Sequence, residues 1–557
     1  MTPIIECVPN FSEGRDLQII QWITKEIEIV EGVRLLNVDP GKATNRTVVT
    51  FVGKPEAVVE AAFMAIRRAG ELIDMRLHQG EHPRMGATDV CPLIPVSGIS
   101  MEETARWAQK LAERVGSELS IPVYLYESAQ KNKERSNLSV IRAGEYEGFS
   151  EKIKMPDWKP DFGPAVFDEK RGATVIGARD FLVAYNVNLN TTSVRRANSI
   201  AFDVREAGRI KRAGDPVNGT IVRDENGQPV TIPGSLKSVK AIGWFIKEYG
   251  IAQISMNLTN LNVTPLHIAF DEVCRKADAR GIRVTGSELV GLIPLQSLLD
   301  AGKYFLKKQQ RSAGVSEKEL IRIAILTMGL DELTPFKPEE RIIEYMLKDS
   351  TDEHLIRLSL AEFADETASE SPAPGGGSVA AYLGALGAGL GAMVANLTAQ
   401  KKDWVLFSEW AEKASLCKKE LLSLVDADTK AFEGIIQARS LPKTTVGEKA
   451  FRTKAIQEAT SRAIDVPYRV MQVALESMKV IEEMAKIGNP NSKSDAGVGA
   501  LCARSAVLGG WLNVCINATG LESDEHISAI LADGKKIQAL AVEKEKEILD
   551  IVGLTNN

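Results

Sequence analysis

The stretch Ala184-Tyr185-Asn186-Val187-Asn188-Leu189-Asn190 alternates apolar and amide side chains with a period of two, so a strand here has one polar and one apolar face. Gln253-Ile254-Ser255-Met256-Asn257-Leu258-Thr259 repeats the pattern. If the two strands are neighbours, Asn186, Asn188 and Asn190 join Gln253, Ser255, Asn257 and Thr259 in an amide- and hydroxyl-lined surface. Such a surface suits a flat heterocycle with many donors and acceptors, and equally a plain solvated sheet.

Around these strands, helical periodicity near 192–208 and from Pro265 to Ala279 alternates with strand-like runs at 239–246, 251–259 and Arg283–Ser287. The order approximates βαββαβ. Residues 3–126 give a related order, with strands at 3–8, 33–39, 46–53, 90–96 and Val123–Tyr126 and helices at 14–30, 55–72 and Ala105–Leu119, the last preceded by a Ser100/Glu103 capping box. Two ferredoxin-like α+β halves are expected, at residues 1–180 and 181–332, joined through the Pro- and Gly-rich segment Met155–Pro164. Past residue 330 the alternation gives way to long helical runs, which predicts an all-α domain at 355–557. A linker is expected over 333–354, hinged at Thr334-Pro335-Phe336-Lys337-Pro338, where paired prolines resist a continuous helix.

Acidic residues number 74 against 68 basic ones, a formal net charge of -6. No global positive field therefore exists to hold nucleic acid. The six cysteines form no Cys-x-x-Cys pair, and Met1–Glu6 lacks the basic and apolar regions of a signal peptide, so a cytoplasmic protein is expected. Ser371–Gln400 carries no charge, yet it is mainly Ala and Gly without an aromatic belt, which favours a buried soluble helix over a membrane span. The apolar, Gly- and Ala-rich helices of this part also suggest a homo-oligomer.

His78-Gln79-Gly80-Glu81-His82-Pro83-Arg84 holds two of the five histidines. As i, i+4 ligands they could hold zinc, but Gly80 and Pro83 oppose the helix this needs. The alternatives are an imidazole acting as acid–base group beside a carboxylate-gripping Arg84, or a structural loop. In the second part Leu421, Val425, Asp428, Phe432 and Ile435 follow the spacing of one buried helix face, with Asp428 in its middle and Asp426 on a more polar sector. Burial should raise the Asp428 pKa and make it a proton donor, or else pair it structurally. Gly375-Gly376-Gly377-Ser378 could offer backbone N–H groups to an anion at a helix start.

Glu6-Cys7-Val8-Pro9-Asn10-Phe11-Ser12-Glu13-Gly14, Asn45-Arg46-Thr47 and Gly80-Glu81-His82-Pro83-Arg84-Met85-Gly86-Ala87 closely resemble glutamate formimidoyltransferase. Ala373-Pro374-Gly375-Gly376-Gly377-Ser378-Val379-Ala380-Ala381 and Val425-Asp426-Ala427-Asp428 resemble formimidoyltetrahydrofolate cyclodeaminase. The two parts stand in the order of the bifunctional family. The resemblance implies formimidoyl transfer between N-formimidoyl-L-glutamate and tetrahydrofolate, expected as its polyglutamate, followed by cyclisation with loss of ammonia, in histidine degradation and without a metal. It places the transferase acid–base residue at His82, the cyclodeaminase acid at Asp428, and folate contacts in Gly163–Gly172, including Pro164. Asp39 and Arg84 are candidates for orienting the amidine and the substrate carboxylates, with Asn188 on the amide face and Gly375, Gly376, Gly377 and Ser378 at the second site. Lys211–Ser235 departs from the family pattern.

Overall fold

A computed structural model describes residues 3–42, 44–80, 83–215, 218–347, 355–371, 373–519, 521 and 524–553. His82 lies outside the described residues. The chain divides into two units, Met1–Ser297 with Met328–Leu347, and Leu298–Thr327 with Lys348–Asn557.

In the first unit, β1 (Ile4–Cys7) and β2 (Asn10–Phe11) are one strand interrupted at Val8-Pro9. With β3 (Val33–Gly41), β4 (Arg46–Gly53), β5 (Thr88–Ser97), β6 (Val123–Glu127) and β7 (Thr174–Ala178) they form a sheet in the order β3-β4-β1/β2-β5-β7-β6. Ile5, Cys7, Val49, Phe51 and Leu93 point from alternate positions into a core shared with α1 (Leu17–Glu28), α2 (Pro55–Leu72) and α3 (Met101–Glu118). The expected capping box opens α3, with Ser100 and Glu103 satisfying each other's N–H groups. The opposite face carries Val90, Val175, Tyr124 and Tyr126, covered by Ile141 of α4 (Leu138–Arg142) and Phe149 of α5 (Glu145–Lys152).

Strand β7 pairs in parallel with both β5 and β6 and so completes the first sheet, and the second half follows it in the chain. Its sheet has the order β13-β14-β8-β15, from β8 (Val183–Leu189), β13 (Val239–Ile246), β14 (Ile251–Leu258) and β15 (Val284–Val290), backed by α6 (Val194–Val204) and α7 (Leu266–Asp278). Gln253 stands opposite Asn188 and Ser255 opposite Asn186, so the two amide-bearing strands are neighbours. The segment Lys211–Ser235, with Arg209 and Ile210 just before it, takes part in two small ladders, β9 (Arg209–Ile210) with β12 (Thr231–Ile232) and β10 (Arg212–Ala213) with β11 (Thr220–Ile221).

Residues 334–347 are not an open linker. Pro338 takes the first position of α10 (Pro338–Arg341), where its missing N–H costs nothing, and α11 (Ile343–Met346) follows. Ile342 and Ile343 are fully buried, and Glu344 accepts the Leu295 N–H at 2.7 Å. Residues 348–354, the rest of the expected linker, lie outside the described residues.

The second unit is helical: α12 (Leu360–Thr367), α13 (Gly376–Ala399), α14 (Trp404–Ser440), α15 (Val446–Ile487), α16 (Lys493–Ala518) and α17 (Glu525–Val552). Most of α8 (Leu295–Lys308) and nearly all of α9 (Glu317–Met328) belong to it as well. Gly314 between them packs on Ala411, and its carbonyl accepts from Asn396 and Ser415 at 2.9 and 3.0 Å. The expected transferase segment 181–332 therefore contributes residues 298–327 to the helical unit. Helix α13 and the segment Pro490–Ala518 are long and apolar enough to cross a membrane, and the small residues of α13 are buried against α14 and α16.

Candidate active sites

The segment after α2 is tied down on both sides of residues 81–82. His78 Nε2 lies 2.8 Å from the Asn45 carbonyl, and Arg84 Nε lies 3.2 Å from His78 Nδ1. Arginine only donates, so Nδ1 accepts and the His78 proton sits on Nε2, facing the carbonyl. Burial, reinforced by Arg84, lowers the His78 pKa and keeps the ring neutral. Asn45 is in the left-handed region, with φ 48, where its amide accepts the Gly14 N–H and donates to the Gln79 carbonyl, both at 3.0 Å. Arg84 clasps Glu147 through two nitrogens, at 2.9 and 2.5 Å, and reaches Glu145 at 3.2 Å. Downstream, the fully buried Asp89 accepts the Met85 N–H at 3.0 Å and pairs with Arg142. Ser12 donates to the Gly86 carbonyl at 2.7 Å.

A cavity of about 760 Å³ opens beside this segment, lined by Arg76, His78, Arg84, Glu145, Tyr146 and Glu147 among others. The zinc geometry is not present at His78, since both of its ring nitrogens already have partners. Asp39 is exposed on β3 opposite Val48. Its charge and that of Asp89 act on half-buried Arg46, whose pKa burial and Arg142 lower.

Asn188 is fully buried, its amide donating to Glu332 at 2.5 Å and accepting from Gln253 at 2.8 Å. The amide face is thus closed by the Glu332 segment rather than open to ligand at this residue. Gly163 and Gly172 serve close packing: with φ 81 and 69, a Cβ would strike the Ile121 and Met85 carbonyls respectively. Gly172 packs on Gly86 and so on the His78–Asp89 segment, while exposed Gly163 lies by Gly116 and Ile121 and Pro164 is exposed beside it in the chain. Glu6, at the start of the Glu6–Gly14 motif, is 5 % exposed. Burial pushes its pKa up to about 7 against the pull of Arg179. A charged residue inside the run Ile4-Ile5-Glu6-Cys7-Val8 was the available signal.

In the helical unit Gly375 caps α13, so Gly376, Gly377 and Ser378 form its first turn. Ser378 donates its hydroxyl to Asp428 Oδ2 at 2.9 Å. A Cβ on Gly377 would overlap the Asp428 carboxyl, which is why the helix start can come so close. Asp428 is pulled both ways: burial raises its pKa, the Ser378 O–H and N–H lower it, and burial wins. The expected stripe holds at Leu421, Val425 and Ile435 but fails at Phe432, which is 43 % exposed. Asp426 is no surface residue: it is 7 % exposed, and its Oδ1 accepts the Leu355 N–H at 2.8 Å.

Family models match along the chain: the N-terminal subdomain of the formiminotransferase domain over residues 4–179, the formiminotransferase domain over 184–348, and formiminotransferase-cyclodeaminase over 359–535. The formimidoyltransferase-cyclodeaminase of Sus scrofa is 42% identical over 98% of this chain and 99% of its own length. This chain belongs to the formimidoyltransferase-cyclodeaminase family. The glutamate formimidoyltransferase of Thermoplasma acidophilum is 44% identical over 55% of the chain and 92% of its own length, so the family's first part also occurs alone. A methenyltetrahydrofolate cyclohydrolase of Methylorubrum extorquens is 40% identical over 29% of the chain and 81% of its own length. The formiminotransferase match ends at residue 348, whereas packing assigns 298–327 to the helical unit. Sequence kinship follows the chain, and packing need not.

Proposed function

We propose that this chain performs both reactions of its family. It moves the formimidoyl group between N-formimidoyl-L-glutamate and tetrahydrofolate, then cyclises 5-formimidoyltetrahydrofolate to 5,10-methenyltetrahydrofolate with release of ammonia, in histidine degradation and one-carbon metabolism. The observation that carries this reading is Asp428, a shielded carboxyl with a raised pKa at the first turn of α13, in the part of the chain matched to the cyclodeaminase family.

Transfer passes through a tetrahedral intermediate in which the attacking amine loses a proton and the departing one gains it. An imidazole near pKa 6.5 does both, and His82 has that role. Asp39 orients the amidine. Cyclisation forms a bond from the second folate nitrogen to the amidine carbon and breaks the bond to the departing nitrogen, which leaves as ammonia after gaining the proton lost by the attacking nitrogen and the Asp428 proton. The Ser378 hydroxyl holds the Asp428 carboxyl, and the N–H groups of Gly376 and Gly377 face the folate. Gly163, Pro164 and Gly172 border the folate region of the transferase.

The transferase is a pair of ferredoxin-like halves, a reading supported by the common strand order β3-β4-β1/β2-β5 and β13-β14-β8-β15. Folate is bound as the polyglutamate, no metal takes part, and neither nucleic acid nor a membrane is a partner. The protein is cytoplasmic and a homo-oligomer; Leu512 and Ile516, 69% and 70% exposed on α16, support the latter. A coupled assay with formimidoyl-glutamate and tetrahydrofolate tests the whole. Ammonia and methenyl-folate absorbance should rise together, and failure of both would end the proposal.

A further inference from the structure

Arg84 looks like a substrate-gripping arginine by sequence, but its fork is already filled. Two of its nitrogens meet the two oxygens of Glu147, a third contact reaches Glu145, and Nε donates to His78. Arg84 in turn holds the Glu147 carboxyl below the usual range, so it is ionised throughout neutral pH. A substrate carboxylate would have to displace a group of the same chemistry already held in place by the fold. The source of the clasp is local. Gly144 caps α5 in the left-handed region, with φ 89, and the turn it starts sends Glu145 and Glu147 towards Arg84.

From there the contacts run Glu147, Arg84, His78, Asn45 and on to the backbone of Gln79 and Gly14. In the chain, His82 lies between His78 and Arg84, two residues this series fixes. We infer that Glu147 is a positioning residue for formimidoyl transfer, acting through Arg84 and His78 on the segment that carries His82, and that Arg84 does not grip the substrate carboxylate. This rests on the transferase reading above.

Glu147 is a surface side chain, 63% exposed, so Glu147→Gln in the full-length protein should fold normally. Steady-state transfer from formimidoyl-glutamate should show kcat lowered by about tenfold with KM within twofold of the parent, since the loss is of geometry rather than of affinity. Glu147→Asp, which keeps a carboxylate, should recover part of that loss, and deamination of supplied formimidoyl-tetrahydrofolate should be unchanged in both variants. A lower KM with kcat maintained would overturn the inference, because it would mean that Glu147 merely competes with substrate for Arg84. Unchanged kcat and KM would overturn it too. Failure of the underlying reading is seen separately, as normal transfer by His82→Ala.

Discussion

The His78–Asp89 segment and the turn where Ser378 meets Asp428 handle polar groups in opposite ways. In the first, the polar side chains named above are consumed by the protein: His78 by Asn45 and Arg84, Arg84 by Glu147, Asp89 by Met85 and Arg142. Full satisfaction fixes geometry and leaves proton affinities to follow from it. In the second, one carboxyl is shielded between helices with, among the described residues, only Ser378 to support its charge, and burial outweighs that support. The transferase segment is built to hold a position, and the helical site to hold a proton.

The comparison breaks first at the two proposed proton carriers. His82→Ala should lower transfer by roughly a hundredfold or more and spare deamination of supplied formimidoyl-tetrahydrofolate, while Asp428→Asn should do the reverse. Both are read by assaying the two reactions separately, and a folded variant that lost both activities would show that the sites are not independent. Next is pH. The folded Asp428 pKa is raised above its ordinary 3.8, so the folded state binds the proton more tightly and this group's contribution to stability falls as pH rises through that window. Deamination should decline as pH rises through the raised value. Asp428→Asn should raise Tm relative to the parent at pH values above the raised one, where it removes a poorly supported charge, and a lower Tm there would argue that the carboxylate is well paired.

A smaller effect is expected at Gly377, where Gly377→Ala puts a methyl group against the Asp428 carboxyl. Deamination should drop by about tenfold with transfer unchanged, and a variant that deaminates normally would mean the close approach is not needed. The smallest concerns the transferase alone. A fragment ending at Leu347 keeps Ile342, Ile343 and Glu344 in their buried places, whereas one ending at Glu332 loses them. The longer fragment should be active with the higher Tm, and equal Tm values would show that residues 333–347 contribute little.

Where the pattern is local, the sequence could be read closely. Strand 239–246 and helix 55–72 match to the residue, and the two amide-bearing strands, whose alternation was legible but whose pairing was not, are neighbours. β7 lacked such a signal: Thr174-Val175-Ile176-Gly177-Ala178 is buried on both faces, so nothing alternates. Asp426 and Asp428 differ by two residues on one helix, and the fuller burial of Asp426 comes with a bond to Leu355, far away in the chain. Phe432 continues the apolar spacing of α14 yet is exposed, because helical periodicity says which residues share a face and not what covers it. The closure of the amide face at Asn188 came from Glu332, a contact across 144 residues that periodicity does not report.

Because the chain leaves the first unit after Ser297 and returns at Met328, the units are interleaved along the polypeptide. During synthesis the sheets would be complete once residue 290 has emerged, but the pieces that seal them, Glu332 and Ile343, follow only after α8 and α9. Those two helices in turn must wait for α13 and α14 before Gly314 finds its partners. A nascent chain therefore carries an unfinished transferase and unpartnered helices together for a few seconds at a ribosomal speed of about 5–20 residues per second, which makes this stretch the place where a chaperone has most to protect.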